Sequence, residues 1–142
     1  MSGEPARAFV DSNVLVYAYD RTAAAKAAQA GALVEELWRT GAGALSIQVL
    51  QEFFVTVTKR LRERLPVSDA RRTVASLGRW RTHEPKVADL LEAVDIQRDF
   101  QISFWDAMII RSAACLGCDV LFTEDLNHGQ VYRGVRVENP FV

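Results

Sequence analysis

The most informative stretch of the sequence is Ala6-Arg7-Ala8-Phe9-Val10-Asp11-Ser12-Asn13-Val14. Its first five residues form a short, mostly apolar run, which ends at the polar residues Asp11, Ser12 and Asn13. Residues of these types often cap helices, and a helical pattern of apolar residues begins at Val14. The stretch therefore predicts a buried strand, a helix cap and a helix in direct succession.

Strands and helices continue to alternate along the rest of the chain. Short apolar runs predict strands at 44–47, 119–123 and 134–137, the last at an edge of the sheet, and a connector at 82–85 has room for one more. Helical patterns cover 22–40, 48–65, 68–80, 86–100 and 103–116. Pro66 is expected to end the second of these helices and Ser68 to cap the third. The alternation predicts an α/β fold with a mostly parallel sheet.

Length and composition predict one domain over residues 1–142. The chain has 142 residues, 49% of them apolar, and no repeat or linker divides it. Its 17 lysines and arginines nearly balance 18 aspartates and glutamates, so binding to a polyanion would need a local basic patch. The N-terminal residues do not resemble a leader, and no apolar run reaches the roughly 18 residues of a membrane span. These features predict a cytoplasmic protein.

Four acidic residues lie where strands are predicted to end or helices to begin. Asp11 and Asp125 follow predicted strands, Glu52 lies near the start of a helix, and Asp106 lies in the first turn of the helix that starts at Ser103. The carboxyl ends of parallel strands share one edge of a sheet, so the four side chains are expected to converge there. Carboxylates without histidine or cysteine favour Mg²⁺ or Mn²⁺, ions that support phosphodiester cleavage.

Each acid also has a purely structural interpretation. Asp11 can serve as a helix cap, Asp106 lies three residues after Ser103 as in a capping box, and Asp125 is of a type common in turns. Glu52 can be a solvated helix residue, although the two phenylalanines that follow it argue against a solvated face. Only the set of four, and no single member, favours a metal site.

The segments that contain these acids resemble the four acidic motifs of the PIN-domain nucleases. They read Phe9-Val-Asp-Ser-Asn-Val-Leu-Val-Tyr17, Gln51-Glu-Phe-Phe-Val55, Ser103-Phe-Trp-Asp-Ala-Met-Ile-Ile110 and Leu121-Phe-Thr-Glu-Asp-Leu-Asn-His-Gly-Gln130. Their order and spacing are similar to those of the family over nearly the whole chain. Within the family, the sequence most resembles the VapC-like toxins of bacterial type II toxin–antitoxin pairs.

The resemblance implies a three-layer α/β/α sandwich with a central sheet of four or five strands. It also implies a metal-dependent endoribonuclease that uses Mg²⁺ or Mn²⁺ to cleave RNA, forms a homodimer and binds a cognate antitoxin. The catalytic, metal-binding acids would be Asp11, Glu52, Asp106 and Asp125. Their polar neighbours would be Asn13 and Thr123. The first motif has Ser12 where threonine is more frequent in the family, a change that preserves the hydroxyl.

Basic residues after Glu52 are candidates for binding RNA phosphates. They are Lys59, Arg60, Arg62, Arg64, Arg71 and Arg72. An otherwise neutral protein needs such a patch to bind RNA, although a solvated helix end would explain the same residues. His128 lies three residues after Asp125, so it is either a further substrate contact or a solvated loop residue.

Cysteines, tryptophans and the longest apolar segments are interpreted as structural. Cys115 and Cys118 follow a helical pattern instead of opening one, which predicts core or boundary residues and not a redox pair. The residues expected in the core, and not as base-stacking platforms, are Trp38, Trp80 and Trp105. The apolar side chains of 14–19 and of Phe53 and Phe54 exceed what a small monomer easily hides. They are therefore expected to be covered partly by a second copy or an antitoxin.

Two other classes of protein share parts of this pattern. A receiver domain or an aspartyl-phosphate hydrolase also has an aspartate after its first strand, but the hydrolase would have Asp-x-Asp where this chain has Asp11-Ser12-Asn13. The sequence also lacks a suitably placed lysine, a phosphate-binding glycine loop and a G-x-S-x-G motif. The second class is a PIN-like binding module without catalysis, and the presence of all four acids argues against it.

Overall fold

The computed structural model describes residues 6–142, which form a sheet with helices packed against it. The strands are β1 (Ala8–Val10), β2 (Gly43–Ser46), β3 (Arg81–His83), β4 (Val120–Phe122), β5 (Val131–Tyr132) and β6 (Val135–Glu138). They lie in the order β3-β2-β1-β4-β6-β5, and every pair is parallel except β5 and β6. The predicted α/β class with a mostly parallel sheet is confirmed.

Six α-helices occupy the described residues between and after these strands. They are α1 (Ser12–Ala18), α2 (Ala24–Thr40), α3 (Ile47–Val55), α4 (Val67–Leu77), α5 (Val87–Phe100) and α6 (Phe104–Cys115). Helices α1 and α2 pack together, as do α5 and α6, and α6 contacts β2, β4 and β6. Within residues 6–142, no helix combines the length and the apolar character that crossing a membrane requires.

The register of the central strands determines where the candidate site lies. Phe9 and Leu121 are completely buried and face each other across β1 and β4, and one residue further Val10 pairs with Phe122. The next residue after each strand is polar, Asp11 in one case and Thr123 in the other. Because the strands are parallel, both side chains leave the sheet at the same edge.

The sheet differs from the prediction in its number of strands and in its edge. It has six strands where four or five are predicted, because the two-residue strand β5 is too short to show any periodicity. Arg133 and Gly134, with φ of 50° and 82°, make the tight turn that joins β5 to β6. The strand predicted at the edge is β6, which lies between β4 and β5, so that assignment is wrong.

The helix predicted at 48–65 is shorter than its apolar pattern indicates. α3 ends at Val55 and continues as a π-turn over Thr56–Arg60, after which Leu61 has an extended backbone. The hydroxyl of Thr58 donates to the carbonyl of Phe54 at 2.7 Å, an interaction that loosens and bends helices. The last basic residues of the predicted helix therefore lie on a loop.

The helix predicted at 68–80 also begins and ends at other residues than predicted. α4 is capped by Pro66, whose backbone carbonyl accepts from the amide of Ala70, so Ser68 lies inside the helix and is not its cap. Proline has a backbone angle that suits the start of a helix. α4 ends at Leu77, which leaves the chain free to form the short strand β3.

The two cysteines lie in different surroundings. Cys118 is buried, as expected, and burial raises the pKa of its thiol to about 11. Cys115 is exposed at the end of α6, so a core or boundary position is wrong for this residue. Both thiols are free, and neither opens a helix.

The apolar segments at 14–19 and in α3 are largely hidden by the chain itself. Val14, Leu15 and Phe53 are completely buried, and Tyr19 packs edge-on against Phe53 with ring centroids 5.4 Å apart. α1 and α3 pack directly against each other, but Val16, Tyr17 and Phe54 stay partly exposed, so cover of the remaining surface by a partner stays a prediction. Within residues 6–142, α5 also carries an exposed apolar stripe.

Candidate metal centre

Asp11 is held between the end of β1 and the start of α1. Its side chain is 4% exposed, its Oδ1 accepts from the Ser12 amide at 2.7 Å, and its Oδ2 accepts from the Thr123 hydroxyl at 2.9 Å. Burial raises the pKa of this carboxyl from 3.8 to about 7 despite both hydrogen bonds, and the charges of Glu52 and Asp125 raise it further. A nearby cation would stabilise the ionised form.

Thr123 connects the polar residues at the ends of β1 and β4. It is completely buried, and its hydroxyl accepts from the side-chain amide of Asn13 at 3.3 Å and from the backbone amide of Asp125 at 3.1 Å. The structure thus brings Asn13 and Thr123 against Asp11. Oδ1 of Asn13 is buried and has no hydrogen-bond partner within residues 6–142.

Asp106 and Asp125 complete a cluster with Asp11. Asp106 lies in the first turn of α6, where burial raises the pKa of its carboxyl against the effect of the hydrogen bond with Ser103. Asp125 is exposed in the loop after β4, and its charge raises the same pKa. One oxygen from each of the three carboxylates lies within 4.8 Å of the other two.

Glu52 lies beside this cluster and is not one of its three members. Its Oε2 accepts from the Ser12 hydroxyl at 2.8 Å, and its Oε1 accepts from the side-chain amide of Gln48 at 2.8 Å. Its negative charge raises the pKa of both Asp11 and Asp106. The structure therefore brings three of the predicted acids together and places the fourth within electrostatic range.

The four acids have no basic partner among the described residues. No lysine, arginine or histidine there forms an ion pair with any of them. Other acids of the chain do have one, since Glu124 pairs with Lys26 and Asp89 pairs with Arg111, each at 2.9 Å. Glu124 directly precedes Asp125, so neighbouring acids in one loop differ in this respect. The cluster is a concentration of negative charge without compensation.

The donor set suits a hard divalent cation. Every member offers a carboxylate oxygen, and a separation of up to 4.8 Å is close to the span across one oxygen-coordinated ion. The cluster includes no histidine or cysteine, which disfavours zinc relative to Mg²⁺ or Mn²⁺. The residues present therefore fit the predicted metal.

The capping interpretations explain only part of this geometry. Asp11 does cap α1 through the amide of Ser12. At α6, the hydroxyl of Ser103 accepts from the amide of Asp106 at 3.1 Å, but the Asp106 carboxylate does not accept from the backbone amide of Ser103, as a complete capping box requires. The capping box is thus incomplete, and capping does not account for the position of this carboxylate.

A second group of possible metal ligands lies elsewhere and is already satisfied. It comprises His83, Asp89 and Cys115, with ligand atoms within 4.8 Å of one another. The His83 Nδ1 lies 2.8 Å from the Ser112 hydroxyl, and Asp89 accepts from Arg111 and from the backbone amide of Lys86. These partners of Asp89 lower its pKa, so His83 and Asp89 form a buried polar network, while Cys115 is exposed beside it.

Of the basic residues predicted to bind RNA, Arg60 lines a groove together with Ser12 and Glu52. All six are exposed, and only Arg72 forms an ion pair within the described residues, with Asp69. The ring of His128 is fixed by the backbone amide of Asn139, which donates to its Nδ1 at 3.0 Å.

Ser12, Gln48 and Lys26 have no predicted role but contact acids at or near the site. Gln48 lies four residues before Glu52, so helical spacing indicates their contact. Ser12 lies inside the first motif, but the motif does not indicate which residue its hydroxyl contacts. The contact of Lys26 with Glu124 spans 98 positions, and no local pattern predicts it.

Comparisons with known proteins agree with this geometry. The family model described as the PIN domain matches residues 8–134, which include all four acids. Among solved structures, the chain is similar to one described as a toxin–antitoxin complex from Klebsiella pneumoniae. The TM-score is 0.69, with 19% identity over 94% of this chain and 97% of that chain, a likeness of fold. No curated protein sequence matches the chain. The chain belongs to the PIN domain family.

Proposed function

We propose that this protein is a metal-dependent endoribonuclease and the toxin of a type II toxin–antitoxin pair. Mg²⁺ or Mn²⁺ would be held by Asp11, Glu52, Asp106 and Asp125. The observation that carries the proposal is the convergence of three carboxylates within 4.8 Å, with no basic partner among the described residues. PIN domains are generally nucleases. Acids that served stability alone would be expected to have cationic partners, as seven other acids among the described residues do.

The residues around the acids would orient them for this task. Ser12 and Thr123 bind the two oxygens of Asp11, while Ser12 and Gln48 bind those of Glu52, so hydrogen bonds restrict the rotation of both carboxylates. When bound, the metal supplies activation of water and stabilisation of the leaving oxygen. Arg60, in the groove beside Glu52, offers a positive charge to an RNA phosphate.

Purified protein should cleave single-stranded RNA in Mg²⁺ or Mn²⁺ and lose this activity in EDTA. Attack by water on phosphorus does not use the 2′-hydroxyl, so RNA with a single 2′-deoxynucleotide at the cleaved position should still be cut. The products should lack 2′,3′-cyclic phosphate. Gel analysis of an end-labelled RNA, with mass spectrometry of its products, measures both features.

Three outcomes would contradict this proposal. Undiminished cleavage in EDTA would exclude a metal mechanism, and products that end in 2′,3′-cyclic phosphate would mean that the 2′-hydroxyl is the nucleophile. Absence of cleavage across a panel of RNAs with metal present would favour a binding module without catalysis.

An antitoxin is the protein partner that this proposal requires. Support comes from the similar solved structure, which is described as a toxin–antitoxin complex. The uncompensated acids offer such a partner a point of attachment, because an arginine or lysine side chain from it would neutralise them. Such a contact would compete with the metal, so one cluster would serve both catalysis and inhibition.

A second copy of the chain is the partner that α5 fits. An exposed apolar stripe runs along this helix and consists of Val87, Leu90, Leu91 and Val94, which are between 44% and 73% exposed. A two-fold axis perpendicular to the helix, between Leu90 and Leu91, would pack two such stripes in antiparallel orientation. It would bring Leu90 and Leu91 of the two copies together at the axis.

Leu91→Glu should therefore disrupt the dimer. It places two carboxylates beside the two-fold axis of an apolar interface and should weaken dimerisation by roughly tenfold or more. Leu91→Met keeps the apolar contact and should retain most of the parent affinity. Analytical ultracentrifugation measures the dissociation constants, with Glu35→Lys on α2 as a control that leaves them unchanged. A parent that stays monomeric at high micromolar concentration would exclude this interface.

A further inference from the structure

We propose that Trp105 binds a base of the RNA next to the cleaved phosphate by stacking on it. This inference rests on the proposed function, because it assumes that RNA occupies the acid cluster. All three tryptophans are predicted to lie in the core, which is correct only for Trp80, at 9% exposed. Trp38 is 43% exposed and packs edge-on against Trp80, whereas Trp105 is 65% exposed in the first turn of α6.

Trp105 lies next to one member of the acid cluster in the sequence and contacts the helix that carries Glu52. It directly precedes Asp106 in the first turn of α6. Its backbone carbonyl accepts from the side-chain amide of Gln48 at 3.4 Å, and the same amide donates to Glu52 at 2.8 Å. Gln48 therefore connects the backbone that carries the indole with the helix that carries Glu52.

The indole has one aromatic neighbour and is otherwise largely open. Phe104 packs against it with ring centroids 5.2 Å apart and an interplanar angle of 76°. This edge-on contact restricts the orientation of the ring, while 65% of the residue stays exposed. A large aromatic ring held in this way can stack with any nucleobase, since every base has an aromatic face.

The path along α3 supports an extended RNA strand. Gln48, Glu52, Thr56 and Arg60 recur every four residues, and the last three line one groove with Ser12. The row begins in α3 and ends in the π-turn at Arg60. The backbone of Trp105 contacts its first residue, Gln48, and Glu52 lies between Gln48 and Arg60. A base on Trp105, the cleaved phosphate at the acids and a further phosphate on Arg60 would follow this row.

Stacking on Trp105 needs an unpaired base, so the site favours single-stranded RNA.

Binding of a mapped RNA tests this inference. A short single-stranded RNA that the parent cleaves at one position is synthesised in versions that each lack one base near that position. Binding is measured by fluorescence anisotropy in the cleavage-deficient Glu52→Gln background. Trp105→Ala should weaken binding of the intact RNA roughly tenfold, the order expected for one stacked base. Trp105→Phe should restore most of the loss, while Trp105→Leu should not.

The RNAs without a base identify the stacked nucleotide. Removal of one particular base should weaken RNA binding by the protein that retains Trp105. The same removal should not change RNA binding by Trp105→Ala, because the two changes remove the same contact. In the cleavage-competent background, Trp105→Ala should raise KM more than it lowers kcat. Trp38→Leu, at the other partly exposed tryptophan, is the matched control and should behave as the parent.

Several results would overturn the inference. Equal binding by parent and Trp105→Ala would do so, as would a loss that phenylalanine does not restore. A change in oligomeric state in Trp105→Ala that accounts for the lost binding would assign the ring to a protein interface instead. If the parent cleaves RNA and these results appear, the inference about Trp105 fails alone. If the parent neither binds nor cleaves RNA with metal present, the proposed function fails with it.

Discussion

Asp106→Asn should nearly abolish RNA cleavage and leave the metal-free protein as stable as the parent or more stable. The carboxylate adjoins Asp11 and Asp125 within 4.8 Å, and no basic residue among the described residues forms an ion pair with it. Two carboxylates about 5 Å apart repel by roughly 3 kcal/mol at an effective dielectric of 20, before screening and protonation reduce the effect. Asparagine keeps the shape and removes the charge. Loss of one metal ligand should lower cleavage by at least about 100-fold.

Melting curves in EDTA and in metal, recorded beside a cleavage assay, measure this result. A metal that binds only the folded state stabilises it by about 2.7 kcal/mol at a hundredfold excess over Kd, and this gain should shrink in the variant. Expression of the parent alone should arrest growth, and expression of Asp106→Asn should not.

Asp69→Asn is the matched control, because Asp69 also lies in the first turn of a helix but outside the cluster. This variant should melt at a slightly lower temperature, which corresponds to a loss of about 0.3 to 1 kcal/mol in the free energy of unfolding, and it should keep its activity. If Asp106→Asn instead melts earlier in EDTA, gains as much from metal as the parent and still cleaves RNA, Asp106 contributes only to the helix end.

The metal-free protein should lose stability as pH rises from about 4 to about 7. Folding raises the pKa of Asp11 from 3.8 to about 7, so within this range the unfolded chain releases a proton that the folded chain retains. Release of that proton stabilises the unfolded state, and the loss should reach the order of 3 to 4 kcal/mol before it levels off above pH 7. Asp89 and Asp99 have lowered pKa values, so their opposite contribution is complete at lower pH.

Saturating Mg²⁺ should reverse this trend, because the metal binds the ionised carboxylate and its affinity therefore rises with pH up to about 7. Urea denaturation at pH 5, 6, 7 and 8, in EDTA and in Mg²⁺, measures both slopes. Asp11→Asn removes the titrating group and isolates its contribution as the difference between the two proteins. A parent whose metal-free profile matches that of Asp11→Asn would mean that Asp11 titrates normally.

Local pattern in the sequence was enough to predict the α/β class and most of the elements. An apolar run that ends in Asp11 and a helical pattern that follows it are properties of neighbouring residues, and so is the first-turn position of Asp106. The rule that parallel strands end at one edge then predicts that these acids come close together. These predictions depend on spacing along the chain, which the sequence contains directly.

Tertiary structure decided which side chains meet. Asp11, Asp106 and Asp125 converge while Glu52 is held aside by Ser12 and Gln48, and Lys26 neutralises Glu124 but not the adjacent Asp125. These differences arise from contacts between distant segments and from burial, which is also what raises the pKa of Asp11. Solvent exposure is a tertiary property for the same reason, so an apolar residue such as Trp105 cannot be assigned to core or surface until its neighbours from other elements are in place.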